Sequence, residues 1–408
     1  MSGVDQLLLS RRLLVCVGPG GVGKTTVAAA LAVRAAQLGR RTLVLTIDPA
    51  RRLITTLGLE DLGDACREIV FDGSDEEIGQ GGHVEGVAQI EPGGHVGSSR
   101  FFAAMLDSGD SFDALVARVA EDPEHRQRIL GNRVYRLMSR AFGNAHAYVA
   151  MERLYDATVG GDFDLVILDT PPTRNALDII DAPGRLLAFL DEKVVGWLLR
   201  QPPVGLRARL LARGGAAARG LLSLLAGEAL VDDLAEFLEL FVSLRPGFQA
   251  RATAVQEQLR SPDSAFVLIT SPQADNLADA AYLRDGLAGR GVPLQALIVN
   301  RAFVPLTDDP WSSMLSQRER RRDLEELGPR DEREAAGFSA LLDQVQGVAE
   351  RLARANKCAQ EAIVAFAAAV PEACLKIQVP QLDHEPQDCQ ALTGLALLLA
   401  DPRAHLRE

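Results

Sequence analysis

The chain has little of what marks a membrane, secreted or nucleic-acid-binding protein. None of its apolar runs approaches the roughly 20 residues that a membrane-spanning helix needs. The five cysteines are an odd number without a Cys-x-x-Cys pair, and the six histidines form no metal-ligand spacing with them. A net charge of −12 argues against the basic surface of a general nucleic-acid binder. We therefore expect a cytoplasmic protein with reduced thiols, no integral membrane segment and no nucleic-acid partner.

Lysine is also scarce, and one of the few lysines lies in a phosphate-binding pattern. Lysine and arginine total 43, yet lysine occurs only at positions 24, 193, 357 and 376. Lys24 belongs to Gly18-Pro-Gly-Gly-Val-Gly-Lys-Thr25, which follows an apolar run and precedes a segment rich in Ala and Leu. A strand, a glycine-rich turn and a helix start are the context in which this pattern binds nucleotide phosphates. The predicted nucleotide-contacting residues of the loop are Gly20, Gly21, Val22, Gly23, Lys24, Thr25 and Thr26.

Two side chains of this loop have predicted roles. The compact ammonium of Lys24 suits the outer phosphates and the charge that develops during hydrolysis. The hydroxyl of Thr25 suits Mg²⁺. The plain alternative is a glycine-rich turn that only joins a strand to a helix.

Six short apolar runs recur along the chain, and helical patterns separate them. They are Leu13–Val17, Thr42–Ile47, Leu165–Leu168, Phe266–Thr270, Ala296–Val299 and Leu375–Val379. Parallel strands that are covered by helices on both faces have this character. The sequence therefore predicts an α/β fold with a doubly wound, mostly parallel sheet and α-helical insertions. Its ligands are expected at the carboxyl ends of the strands.

The whole chain, 1–408, is predicted to form a single domain with long insertions in the α/β core. Residues 73–99 are rich in glycine and poor in large apolar residues, which predicts a flexible loop. Residues 108–160 and 184–260 have mainly helical patterns and are predicted to form an inserted helical subdomain. Phe237 and Phe241 in the second stretch lie on one apolar helix face, and both a buried face and a client groove remain open.

Two acidic residues follow directly on predicted strands. Asp48 comes after Thr42–Ile47 and is placed to orient or deprotonate an attacking water. Asp169 comes after Leu165–Leu168 and has the position of the acidic residue that supports Mg²⁺ beside a phosphate loop. The alternative for either residue is a helix cap, and Pro49 at a first helical position favours that alternative for Asp48.

A polar side chain ends a third strand. Asn300 follows Ala296–Val299, and its amide offers both donors and an acceptor to the edge of an adenine base. An asparagine that only forms a turn is the alternative.

Taken together, these segments resemble the ArsA family of arsenical-pump ATPases and the related guided-entry ATPases for tail-anchored proteins. The resemblance rests on the 20–26 loop, Asp48-Pro-Ala50, Asp169-Thr-Pro-Pro-Thr173, Asn300 and Val379–Pro386. It implies a dimer, homomeric or formed with a paralogue, that holds two ATP molecules at its interface. It also implies that Asp48 activates water, that Thr25 ligates Mg²⁺ with Asp169 behind it, and that Asn300 reads adenine.

The chain departs from the family pattern in three ways. Pro19 replaces a lysine that reaches the partner's phosphates, and we hypothesise that Arg51, Arg52 or Arg174 supplies the missing charge. No Cys-x-x-Cys pair is present, so the zinc of some tail-anchor targeting dimers is not expected. The helical stretches are rich in leucine and not in the methionine that suits promiscuous client grooves, since the chain has only five methionines.

The sequence therefore predicts a Mg²⁺-dependent ATPase that couples ATP binding and hydrolysis to an unknown client or partner protein. One alternative is an ATP-binding scaffold with little hydrolysis. Another is a partition or division-site ATPase of the Min/Par type, although the short C-terminal Leu392–Leu399 run is only weakly amphipathic.

Overall fold

The computed structural model shows an α/β architecture. It describes residues 2–47, 52–59, 66–72, 98–105, 122–133, 135–136, 145–172, 174–189, 236, 246–292, 294–302 and 332–401. The strands are β1 Leu13–Val17, β2 Thr42–Thr46, β3 Arg67–Asp72, β4 Ser98–Met105, β5 Leu165–Asp169, β6 Ser264–Thr270, β7 Leu294–Ala302 and β8 Leu375–Pro380.

Helices precede and follow these strands. In the described part of the chain they are α1 Gly3–Ser10, α2 Lys24–Gln37, α3 Arg52–Thr56, α4 Pro123–Gly131, α5 Ala145–Val159, α6 Arg174–Phe189, α7 246–260, α8 Ala274–Gly289, α9 Glu332–Ala368 and α10 Cys389–Ala400. None of these helices is both long enough and apolar enough to cross a membrane.

The strands form one 8-stranded sheet in the order β3-β4-β2-β5-β1-β6-β7-β8. All neighbouring strands are parallel except β3 and β4, which run antiparallel at one edge. The predicted doubly wound, mostly parallel sheet is confirmed, and each of the six apolar runs forms one of its strands. β3 and β4 are additional strands that the sequence patterns did not indicate.

Helices cover both faces of the sheet. The central strands β1, β2, β5 and β6 are buried along their whole length. Alternate residues of β1 enter two separate cores, with Leu13 and Val15 on one face and Leu14 and Cys16 on the other. Helices α2 and α10 contribute to the second core, and α5 to α8 contribute to the first. This two-sided burial explains why the strands are continuous apolar runs.

The predicted insertions are only partly described. Ser98 and Ser99, the last two residues of the predicted 73–99 loop, pair with Asp72 and Phe71 in the β3–β4 ladder. Residues 73–97 lie outside the described residues. The described parts of 108–160 and 184–260 are mainly helical, and they include α4, α5, α7 and the end of α6. Phe237 and Phe241 lie outside the described residues.

Candidate functional site

The predicted phosphate loop connects β1 to α2 at the carboxyl edge of the sheet. Gly23 is the N-terminal cap of α2 and has φ +88°. A Cβ at this position would lie 2.5 Å from Asn300 Nδ2, and a Cβ at Gly18 would lie 2.1 Å from the carbonyl oxygen of Ile269. The backbone of β6 therefore excludes a side chain at Gly18, and the positive φ favours glycine at Gly23, where a Cβ would also have to displace the Asn300 amide.

Lys24 is folded back onto the loop from the first turn of α2. Its side chain is buried, with the residue 7% exposed. Its Nζ donates to the carbonyl oxygen of Pro19 at 2.8 Å. This bond uses a main-chain carbonyl group, which proline retains although it lacks the N–H group. Gly20 and Gly21 at the top of the loop are exposed.

Asp169, at the carboxyl end of β5, accepts hydrogen bonds from two hydroxyl groups. Thr25 Oγ1 donates to Asp169 Oδ2 at 2.7 Å, and Thr46 Oγ1 donates to the same oxygen at 2.9 Å. The sheet register produces this cluster because Asp169 pairs with Cys16 of β1 and with Thr46 of β2. The carboxyl group has no exposed surface. The structure thus brings together the two predicted Mg²⁺ residues and adds Thr46, which sequence reasoning missed.

Thr170, the residue after Asp169, anchors the 170–172 segment to β1. Thr170 Oγ1 donates to the carbonyl oxygen of Cys16 at 2.7 Å. A Cβ at Gly20 would make an ordinary 3.7 Å contact with Pro172. The 170–172 segment therefore lies beside the phosphate loop. Burial raises the pKa of the Cys16 thiol well above its ordinary value, and the nearby charge of Asp169 raises it further.

Two consecutive residues of β7 contact the opposite side of the loop. Asn300 Nδ2 donates to the carbonyl oxygen of Val22 at 2.9 Å. Arg301 Nη1 donates to the carbonyl oxygen of Gly21 at 3.1 Å, and its Nη2 also pairs with Glu385. Glu385 belongs to the 379–386 sequence that carries part of the family resemblance. Sequence reasoning predicted Asn300 at this site but missed Arg301.

The other predicted residues lie either outside the described residues or at the margin of the site. Asp48 and Arg51 lie outside the described residues, as does the side chain of Arg174. Arg52 begins α3 and is exposed. Thr26 lies in the first turn of α2 and is half-buried. The described part of the predicted site therefore consists of the 20–26 loop, which includes Lys24 and Thr25, together with Asp169 and Asn300.

Comparisons with known proteins find similarity at the phosphate loop and along much of the chain. A family model described as Anion-transporting ATPase matches residues 11–70, which contain β1, the phosphate loop, β2 and α3. An uncharacterized protein of Streptomyces coelicolor is 28% identical over 323 residues, which cover 77% of this chain and 68% of that protein.

Two named ATPases are also similar. The ATPase ARSA1 of Chlamydomonas reinhardtii is 26% identical over 324 residues, covering 74% of this chain but only 37% of that protein. The ATPase GET3B of Arabidopsis thaliana is 24% identical over 341 residues, covering 81% of this chain and 72% of that protein. The family-model match at the phosphate loop and the similarity along most of the chain show that this protein is similar to ATPases of the ArsA and GET3 type.

Proposed function

We propose that this protein is a Mg²⁺-dependent ATPase that works as a dimeric, nucleotide-driven switch. The observation that carries the proposal is the Thr25–Asp169–Thr46 cluster directly beside the phosphate loop. A buried carboxylate bonded to the loop threonine is the arrangement that nucleotide hydrolases of this class use at the outer phosphates. The substrate is ATP and the products are ADP and phosphate.

The phosphate end of ATP binds to the 20–26 loop. The backbone N–H groups of the loop and the first turn of α2 provide donors, and the helix dipole favours negative charge there. Lys24 exchanges its bond to the Pro19 carbonyl oxygen for the terminal phosphates. In the transition state the same ammonium group neutralises the charge that develops on the phosphoryl oxygens.

The cluster at Asp169 fits a magnesium ion. Oxygen ligands are those that Mg²⁺ prefers. Thr25 uses its hydroxyl hydrogen on Asp169, so the lone pairs of its oxygen suit a cation. Thr25 would hold the ion, and Asp169, oriented by Thr46, would stand behind it. Mg²⁺ when bound supplies charge neutralisation at the phosphate oxygens.

Asp48 is proposed to orient the water that attacks the γ-phosphate in line. It follows Ile47, whose N–H donates to the carbonyl oxygen of Asp169 at 3.0 Å. This bond brings Ile47, the residue just before Asp48, next to Asp169. A carboxylate there can accept a proton from water as the P–O bond to ADP breaks.

Equilibrium binding of ATP with and without Mg²⁺ tests the site. We expect Mg²⁺ to tighten ATP binding by the wild-type protein. Thr25→Ala and Asp169→Asn are expected to lose most of this Mg²⁺ effect while they retain binding of Mg²⁺-free ATP. Thr42→Val serves as the control, because it removes a buried hydroxyl from the other end of β2. An equal Mg²⁺ effect in all four proteins would contradict the proposed metal site.

The dimer is proposed to form with two ATP molecules at its interface. Because Pro19 has no positive charge, an arginine is proposed to replace the family lysine, with Arg51, Arg52 and Arg174 as candidates. Analytical ultracentrifugation with and without ATP tests the dimer. ATP turnover by Arg51→Ala, Arg52→Ala and Arg174→Ala tests the charge, and wild-type rates in all three would eliminate these arginines.

The client protein is proposed to bind the helical insertions. The experiment is affinity capture with Asp48→Asn in the presence of ATP, because this variant should remain in the ATP-bound form. Lys24→Ala is the matched control. A protein retained only by Asp48→Asn supports the switch. An ATP-binding scaffold that does not switch would retain the same proteins with and without ATP.

A further inference from the structure

Arg301 has an unusual backbone conformation at the end of β7. It has φ +56° and is the only non-glycine residue with positive φ in the described part of the chain. This conformation is unfavourable for residues that carry a Cβ, so it needs compensating contacts. The pairing of β7 with β8 shifts register at the same place, between Val299 and Ala302. The strand is therefore bent where it reaches the phosphate loop.

The bend lets two neighbouring side chains reach the same loop. In a regular strand Asn300 and Arg301 would point to opposite faces of the sheet. Here Asn300 donates to the Val22 carbonyl oxygen at 2.9 Å and Arg301 donates to the Gly21 carbonyl oxygen at 3.1 Å. Two successive residues of β7 thus hold two successive carbonyl groups of the phosphate loop.

Arg301 also connects the loop to the segment between β8 and α10, residues 381–388. Its guanidinium group pairs with Glu385 in the middle of this segment. The segment is fixed at its start by a bond from Gln381 N to the Ala302 carbonyl oxygen, 2.8 Å long. Near its end the segment passes close to the turn after α3, where a Cβ at Gly58 would lie 2.7 Å from the Gln387 carbonyl oxygen. Arg301 is therefore a direct side-chain connection from this segment to the phosphate loop.

The residues of the proposed ATP site lie on both sides of β1. The cluster at Asp169 lies on the β5 and β2 side, and Asn300 and the 381–388 segment lie on the β6, β7 and β8 side. In the proposed ATP site the outer phosphates bind beside Asp169 and Asn300 contacts the adenine, so the nucleoside is proposed to extend toward the 381–388 segment.

We propose that Arg301 is a positioning residue that holds the 381–388 segment against the phosphate loop, so that the nucleoside and the phosphates are bound as one unit. The inference rests on the proposed ATP site. It predicts that Arg301 contributes to recognition of the nucleoside and contributes little to binding of the phosphate chain alone. A planar guanidinium group suits this role because it donates to two acceptors in fixed directions, which an ammonium group does not do.

The test compares ATP with inorganic tripolyphosphate by calorimetry. Arg301→Gly removes the side chain and suits the positive φ, so we expect no loss of thermal stability. We expect ATP affinity to fall about tenfold, as for the loss of hydrogen bonds to a charged group. Tripolyphosphate affinity should change less than about twofold. Arg301→Lys should show an intermediate loss of ATP affinity.

Glu385→Ala and the double variant complete the test. Glu385→Ala should reproduce part of the ATP-selective loss, and the double variant should bind ATP no more weakly than Arg301→Gly alone. The control is Arg284→Ala, which removes another ion-paired arginine, bonded to Asp285, from α8. This control should bind both ligands like the wild type.

The outcomes separate the inference from the proposed function. Wild-type ATP affinity in Arg301→Gly, or an equal loss for ATP and tripolyphosphate, would overturn the positioning role alone. Failure of the wild-type protein to bind ATP would overturn the proposed function and this inference with it.

Discussion

Substitution of Gly23 by alanine tests whether the phosphate loop is held by the contacts described above. Gly23 has φ +88°, and a Cβ there would lie 2.5 Å from Asn300 Nδ2. Alanine in the left-handed region costs about 1–2 kcal/mol. Displacement of Asn300 also breaks its bond to the Val22 carbonyl oxygen, for a further cost of about 1–3 kcal/mol with a buried donor.

The expected total for Gly23→Ala is therefore about 2–5 kcal/mol, where about 1.4 kcal/mol is a factor of ten in affinity. This cost appears as lower stability if the loop keeps its conformation, and as weaker ATP binding if the loop relaxes. The relevant quantity is the sum of the two losses. Urea denaturation measures the first and calorimetric ATP binding measures the second.

Gly39→Ala is the matched control. Gly39 has φ +82°, close to that of Gly23, but nothing lies within 4 Å of its missing Cβ. Its substitution should cost only the backbone part, about 1–2 kcal/mol. In an Asn300→Ala background, Gly23→Ala should lose its steric part and destabilise the protein about as much as Gly39→Ala. Equal total losses for Gly23→Ala and Gly39→Ala in the wild-type background would refute the reasoning.

Three further predictions follow from the described contacts. Thr46→Val removes one donor to Asp169, so binding of Mg²⁺-bound ATP should weaken several-fold, by about 0.5–1.5 kcal/mol, while binding of Mg²⁺-free ATP stays unchanged. Arg290 lowers the pKa of Asp181 through a two-bond pair, so its stabilisation is present above the ordinary value of 3.8 and is lost as pH falls through the folded-state pKa. Urea denaturation should therefore show Asp181→Asn less stable than wild type by about 1–3 kcal/mol at pH 7, with a gap that narrows below pH 4 and does not stay constant. Burial raises the pKa of the Cys16 thiol, so mass spectrometry should find it unmodified by iodoacetamide at pH 8 in the native protein and modified after denaturation.

Much of the sheet could be predicted because its central strands are buried on both faces. Such strands, like β1 and β6, are continuous apolar runs that stand out in the sequence. β3 is different because it lies at an edge, with Ile69 and Phe71 buried and Val70 55% exposed between them. Its alternation covers few residues, and β4 begins with two serines after a glycine-rich stretch. A short antiparallel edge strand such as β3 gives no strong local signal.

In the candidate site, too, some residues could be predicted from the sequence and others could not. The Gly-x4-Gly-Lys-Thr pattern and Asp169 could be recognised because their positions after strands have a direct chemical meaning. Thr46 could not, since a β-branched residue at the end of a buried strand is typical of the core. The role of Arg301 depends on a positive φ and on a contact 84 residues away in the sequence. Neither has a signature in the local pattern of the chain.

Steady-state phosphate release from Mg²⁺-bound ATP tests the central proposal most directly. We predict turnover by the wild-type protein and almost none by Lys24→Ala, which loses the phosphate contact. Asp48→Asn should bind ATP within a few-fold of wild type but release phosphate at least about a hundredfold more slowly, as expected for the loss of a catalytic base. Undiminished turnover by Asp48→Asn would contradict its assigned role. A wild-type rate no higher than that of Lys24→Ala would contradict ATP hydrolysis at this site.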